Sequence, residues 1–363
     1  MTTSRSVSRE ALLERVATVP RVPLAALPTP LEHCQRLGTE LGIELYIKRD
    51  DMTGLAFGGN KTRQLEFLFA EIVAEGADVV VAGAATQSNW CRQISAAACK
   101  LNMDAHLVLM HGEKGPLRQG NLLLDEVLGA TVEIVDVADI AHLSPLLHEK
   151  ARALAAAGRK PFVVDPIGMK VLARSTVGYV NAAAELDAQL EARDIRPDHL
   201  YIAGANMTPA GMALGMRAIG NSVRISNIAP IQWEEDRPTD IARIANACAA
   251  LLGLDVQISA DEIHNDDGYI SPGYGKVSQE SREALLLAAR TEGLILDPVY
   301  SSKAFAGLIG HCRQGIVRPG ETVVFCHTGG TPALFAYAED VMPPRTPRAE
   351  LSRRNRGPCT PTT

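Results

Sequence analysis

Aromatic residues make up only 4% of this 363-residue sequence, so aliphatic side chains and alanine must build its core. Positive charge is not in excess. The net charge of −6 offers no electrostatic footprint for nucleic acid. No apolar run approaches the roughly 18 residues of a membrane span. Residues 1–12 carry serine and arginine but no apolar stretch, which argues against a secretory signal and makes the cytoplasm the expected compartment. The seven cysteines are scattered, an odd number without the spacing of a disulfide framework or a zinc site. Several lie in apolar segments and read as buried thiols. The nine histidines show no ligand spacing, so no metal is expected. The Gly-x-Ser-x-Gly signature of a serine nucleophile is missing as well.

What is present is an alternation of short β-branched runs and amphipathic helices, over a length that suits two compact domains. Strands are predicted at 44–49, 78–83, 105–110, 131–135, 162–165, 200–203, 223–228, 255–258 and 322–326. Helices are predicted within 1–20 and over 91–101, 117–128, 140–157, 177–192, 239–252, 278–292 and 302–312, with 168–174 as a loop. The alternation predicts an α/β fold with parallel sheets. The segment 343–363, rich in proline and arginine with Glu350 its single acidic residue, has the composition of a disordered basic tail.

Four loops could carry chemistry. In Gly58-Gly59-Asn60-Lys61, two glycines and an asparagine make a tight turn, and an amphipathic helix follows with Leu65, Leu68, Phe69, Ile72 and Val73 on one face. Lys61 then lies at a helix N-terminus, where the helix dipole and burial both disfavour the ammonium form. Such an amine can form a Schiff base, although a surface lysine after a turn has the same signature. Gln87-Ser88-Asn89-Trp90 offers a hydroxyl, an amide and helix N–H groups to a carboxylate, or is an ordinary polar turn. Residues 204–211 could cradle a phosphate, with Thr208 as N-cap and Pro209 as first helical residue, or simply cap a helix. Tyr274 and Tyr300 sit in Pro/Gly contexts that could hold a phenol rigidly for acid–base work, or bury it structurally.

Together these segments resemble the D-cysteine desulfhydrase and 1-aminocyclopropane-1-carboxylate (ACC) deaminase family of pyridoxal 5′-phosphate (PLP) enzymes, of fold type II and tryptophan synthase β-like. The resemblance runs from Pro23 to Tyr337. It is carried most specifically by Gly58-Gly59-Asn60-Lys61 with Arg63, by Gln87-Ser88-Asn89 with Arg92-Gln93, by Asp297-Pro298-Val299-Tyr300 and by His327-Thr328-Gly329-Gly330-Thr331. It implies two domains, each a mostly parallel twisted sheet flanked by helices. Residues 1–57 with 168–342 would form the large PLP-binding domain, and 58–167 the small one carrying Lys61.

The resemblance also implies roles. Lys61 would hold PLP as a Schiff base and shuttle the Cα proton, and Asn60 would contact the cofactor ring. Gly204, Ala205, Asn206, Met207 and Thr208 would bind its phosphate. Thr328 or Thr331 would lie near the pyridine nitrogen. Gln87, Ser88, Asn89 and Trp90 would surround the substrate carboxylate, with Tyr274 and Tyr300 facing the substrate. The implied reaction is β-elimination from a small amino acid, D-cysteine or a related sulfur or sulfonate amino acid, giving a 2-oxo acid and ammonia in a homodimeric enzyme. Trp90 stands where the family carries His or Gln, and Ser301 where ACC deaminases carry Glu. ACC-type ring opening, a lyase for a bulkier amino acid and a PLP-binding homologue without lyase activity are the alternatives.

Overall fold

The computed structural model describes residues 6–232 and 235–342. The basic segment 343–363, including Cys359, lies outside the described residues. Ten strands form two sheets: β1 Leu31–His33, β2 Glu44–Lys48, β3 Val79–Ala85, β4 Asp104–Met110, β5 Thr131–Val135, β6 Pro161–Val164, β7 His199–Ala203, β8 Arg224–Ile228, β9 His264–Asp266 and β10 Thr322–Cys326. The six-stranded sheet has the order β1-β2-β10-β7-β8-β9, and the four-stranded sheet β5-β4-β3-β6. Among the described residues only the β1–β2 pair is antiparallel.

Parallel strands covered on both faces should be apolar throughout, and all five residues of β7 are buried. Leu200, Ile202 and Val324 face Tyr179, Ala183 and Leu186 of the helix Met169–Glu191. Tyr201, Val323 and Phe325 face the opposite layer, formed by the helices Gln279–Glu292 and Ser301–Arg313. In the smaller sheet, Val80, Ala82, Leu107 and Leu109 pack with Leu65, Leu68 and Phe69 of the helix Asn60–Ala74. That helix also lies against Met169–Glu191. A Cβ at Gly178 would come within 2.3 Å of the Arg63 carbonyl oxygen, so only glycine permits the approach.

A buried ionic cluster fastens the same two helices. Arg63 donates to both carboxylate oxygens of Asp50 and of Glu185, and Lys48 and Tyr179 complete the cluster. Four of the cysteines, Cys34, Cys91, Cys248 and Cys326, are buried, and Cys99 is exposed. No described helix is long and apolar enough to cross a membrane.

Three sequence expectations are corrected. Residues 169–174 are helical and not a loop, because Lys170 and Arg174 pair with Glu71 of the neighbouring helix while Val171 and Leu172 turn inward. Residues 255–258 form no strand. Both backbone groups of Ile258 bond to the Asn246 side chain, so no strand partner is needed, and β9 takes the sheet edge instead. The helix Met207–Ala218 is capped by Asn206, so Thr208 and Pro209 are its second and third residues, within the first turn.

Candidate active site

Lys61 is the second residue of the helix Asn60–Ala74, and the loop before it has little freedom. Gly58 (φ +65°) and Gly59 (φ +123°) adopt conformations that favour glycine, and a Cβ at Gly58 would fall 2.0 Å from the Asp51 carbonyl oxygen. The Asn60 N–H donates to the Thr328 carbonyl, tying the loop to the end of β10. The side chains of Arg92 and Gln93 both donate to the Gly58 carbonyl. Lys61 Nζ lies 3.2 Å from Asn60 Oδ1 and 6.0 Å from the centre of the Tyr300 ring. Burial lowers its amine to about 8; the Asp297 carboxylate opposes that shift and the Arg92 guanidinium adds to it.

Ser88 caps the helix Asn89–Lys100, its Oγ accepting from the N–H groups of Trp90 and Cys91 at 3.2 Å each. With its lone pairs so used, the hydroxyl keeps a proton to donate. A substrate carboxylate would therefore meet that proton and the Asn89 side chain; the Trp90 and Cys91 N–H groups are already taken. Gln87 departs from its expected role. Its Nε2 donates to the Gln119 carbonyl, and its Oε1 accepts from the Asn121 N–H, so its amide is spent on a neighbouring loop.

The helix Met207–Ala218 opens on the same cavity. Thr208 Oγ1 accepts from Asn60 Nδ2 at 2.8 Å and from Gln64 Nε2 at 3.1 Å, which again leaves a hydroxyl proton free to donate. Ala205, Asn206, Met207 and Thr208 line the cavity, while Gly204 stands behind it with its carbonyl bonded to Asn227. Gln64 also lines the cavity, and its Oε1 is buried without a partner.

Tyr274 and Tyr300 close the other side, their phenol oxygens 2.6 Å apart. Burial raises both above the ordinary phenol value, Tyr300 further than Tyr274. Two residues that the sequence reading left without a role hold them. Asp297 accepts the N–H groups of Val299, Tyr300 and Ser301, and Lys303 Nζ donates to the carbonyls of Ile270 and Gly273. Asp297 lies in a motif seen in the sequence and Lys303 in a predicted helix, but neither spacing nor residue type announces the contact. The whole cavity measures about 600 Å³ and reaches Trp90, Ile140, Ile167 and Arg237. A smaller recess, lined by Asn60, Lys61, Ser88, Asn89, Tyr300 and Thr328, adjoins it at Lys61. Thr328 therefore faces the site, while Thr331 sits in the turn before the short helix Ala333–Ala336.

These donors fit a phosphorylated aldehyde. The helix end with the Thr208 proton suits a phosphate, and a half-buried lysine with a lowered pKa suits a carbonyl.

Comparison with known proteins agrees. Residues 22–329 match the family described as pyridoxal-phosphate dependent enzyme. The chain is 37% identical over 329 residues to D-cysteine desulfhydrase of Klebsiella pneumoniae, covering 90% of this chain and 98% of that one. It is 38% identical over 327 residues to 1-aminocyclopropane-1-carboxylate deaminase of Burkholderia cenocepacia, covering 88% and 96%. Among solved structures, an ACC deaminase homologue superposes with a TM-score of 0.82 at 35% identity, over 91% of this chain and 98% of that one. A threonine deaminase from Solanum lycopersicum, at 15% identity and a TM-score of 0.62, shares the fold. The family match over residues 22–329 and relatives covered over almost their whole length lead to one assignment: the chain belongs to the pyridoxal-phosphate dependent enzymes.

Proposed function

We propose that this enzyme is a lyase that eliminates the β substituent of a small amino acid, D-cysteine or a related sulfur or sulfonate amino acid. The observation that carries the reading is that Lys61, Ser88 and the Tyr274–Tyr300 pair line one cavity. For D-cysteine, the Cα–H and Cβ–S bonds break, sulfide leaves, and water then releases pyruvate and ammonia. Bound pyridoxal phosphate supplies the sink for the electron pair left at Cα.

The chain's own residues supply the rest. Asn206 and Thr208, at the start of their helix, would hold the phosphate, and Asn60 would contact the cofactor. The Ser88 hydroxyl and the Asn89 amide hold the substrate carboxylate and so orient Cα–H toward Lys61. With an amine near pKa 8, Lys61 Nζ is partly unprotonated at neutral pH and can take that proton. Tyr300, hydrogen-bonded to Tyr274, is a neutral phenol able to hand a proton to the departing sulfur. Thr328, which lines the recess with Lys61, would offer the cofactor a neutral hydroxyl in place of a carboxylate, which would favour elimination over transamination.

ACC-type ring opening is the second reading, supported by relatives of equal similarity that bear that name. Ser301 weighs against it: buried and bonded to Asp297, it brings no carboxylate to the site. The test is a panel of D- and L-cysteine, β-chloroalanine, cysteate and ACC, assayed for 2-oxo acid and ammonia on the PLP-loaded protein. Pyruvate from a β-substituted amino acid is expected. Product from ACC alone would replace elimination by ring opening, and no product from any member would sink both. The reading carries with it a homodimer in the cytoplasm, the first of which light scattering checks.

A further inference from the structure

The helix Gly120–Val127 stands outside every motif that pointed to the site, yet its second residue reaches the carboxylate loop. Asn121 is fully buried. Its Nδ2 donates twice, at 2.8 Å to the Gln87 main-chain carbonyl and at 2.9 Å to Asn89 Oδ1. A main-chain carbonyl can only accept, so the orientation of the Asn121 amide is fixed by the backbone. The next amide is fixed the same way, because Gln87 Oε1 takes the Asn121 N–H and Gln87 Nε2 meets the Gln119 carbonyl.

Asn89 comes last in this chain of fixed orientations. To receive the second N–H of Asn121, it must turn its oxygen toward the helix. Its own NH2 group is then left for the recess lined by Lys61, Ser88 and Thr328. We propose that Asn121 is a positioning residue that sets the Asn89 amide so that it offers hydrogens, and not oxygen, to the substrate carboxylate. The proposal rests on the reading that Asn89 binds that carboxylate. A carboxylate only accepts, so an inverted Asn89 would set oxygen against oxygen. Gln87, first assigned to the substrate, contributes instead the main-chain carbonyl that fixes the Asn121 amide.

The test uses the PLP-loaded full chain and two probes that carry no β leaving group. Alanine, in both enantiomers, has the amine and the carboxylate; ethylamine has the amine alone. Binding is read from the change in the visible absorption of the cofactor. Asn121→Asp can only accept, so it draws the Asn89 NH2 group toward itself and aims Asn89 oxygen at the substrate. It is expected to weaken alanine about tenfold or more, the size of one lost charge-assisted hydrogen bond. Asn121→Ala frees the amide without inverting it and is expected to cost about threefold, with ethylamine unchanged in both variants.

A residue that merely fills space gives the opposite order, since Asp matches the volume of Asn and Ala does not. Alanine binding that is unchanged in Asn121→Ala, or weaker there than in Asn121→Asp, overturns the proposal. If Asn121→Asp does not fold, Asn121→Ala decides alone, through the difference between alanine and ethylamine. Asn89→Ala separates the two levels: if that variant binds alanine as tightly as wild type, the carboxylate reading itself falls. If Asn89→Ala weakens alanine and Asn121→Ala does not, only the role of Asn121 is lost.

Discussion

The phenol oxygens of Tyr274 and Tyr300 share a 2.6 Å hydrogen bond, and a different buried charge holds each ring. Lys303 fixes the carbonyls of Ile270 and Gly273 just before Tyr274. Asp297 gathers the N–H groups around Tyr300. Two phenols from segments 26 residues apart are thus joined beside Lys61.

Tyr300→Phe is expected to lower turnover of the active β-substituted substrate by about a hundredfold, the lower end for a lost acid–base group. Tyr274→Phe should cost less, and the double variant little more than Tyr300→Phe, because the pair works as a unit. Burial keeps both phenols protonated beyond the ordinary value, so the losses should be equal at pH 7 and pH 9. Steady-state kinetics at both values checks this.

Lys61 gives the cofactor-free protein a pH signature. Its amine is lowered from 10.5 to about 8 by burial. Between those values the unfolded chain holds a proton that the folded chain has released, so stability should rise with pH across that window. Below about 8 both states are protonated and the penalty of the buried ammonium is constant. Lys61→Met should remove this share of the slope and leave that of Lys303, which burial also lowers to about 8. Urea unfolding of both proteins at pH 7.5 and 9.5 measures the difference. With cofactor added, Lys61→Met should also fail to develop the visible band.

Thr208 is the shared acceptor of Asn60 and Gln64. Thr208→Ala would leave two buried N–H groups unpaired and remove the proton offered to the phosphate. Pyridoxal phosphate affinity should fall about tenfold or more, whereas Thr208→Ser should stay within about threefold. Titration of the visible band gives both constants.

Arg63→Met would strip Asp50 and Glu185 of the guanidinium that pairs with them in the interior. Removing one partner of a buried ion pair costs about 3–5 kcal/mol. Urea denaturation should show a loss of that size, with Lys48 still pairing Glu185.

Trp90 is nearly buried and lines the cavity beside Ser88. Trp90→His would open space there. The ratio of kcat/KM for S-methylcysteine to that for cysteine should shift by about tenfold, the scale set by one or two methylene groups. An unchanged ratio would show that the substrate side chain does not meet the indole.

Periodicity and short-range chemistry made much of this molecule legible. Val79–Ala85 and Thr322–Cys326 read as buried parallel strands because a strand covered on both faces must be apolar along its whole length. Gly58-Gly59-Asn60-Lys61 announced itself because positive φ values demand glycine and a helix must follow. Where a local pattern was shared by two structures, contacts distant in sequence chose between them. Residues 169–174 are helical because Glu71 meets Lys170 and Arg174, and 255–258 is no strand because Asn246 satisfies Ile258.

The sequence alone determined the class of fold and the amine at its centre, since both follow from residue order over a few turns. Only the tertiary structure decided which polar side chains face the site. Gln87 turns away, Gln64 turns in, and Asn121 sets the direction of Asn89. A side-chain amide has a donor end and an acceptor end, and which end points where depends on fixed backbone groups that the chain brings in from more than 30 residues away.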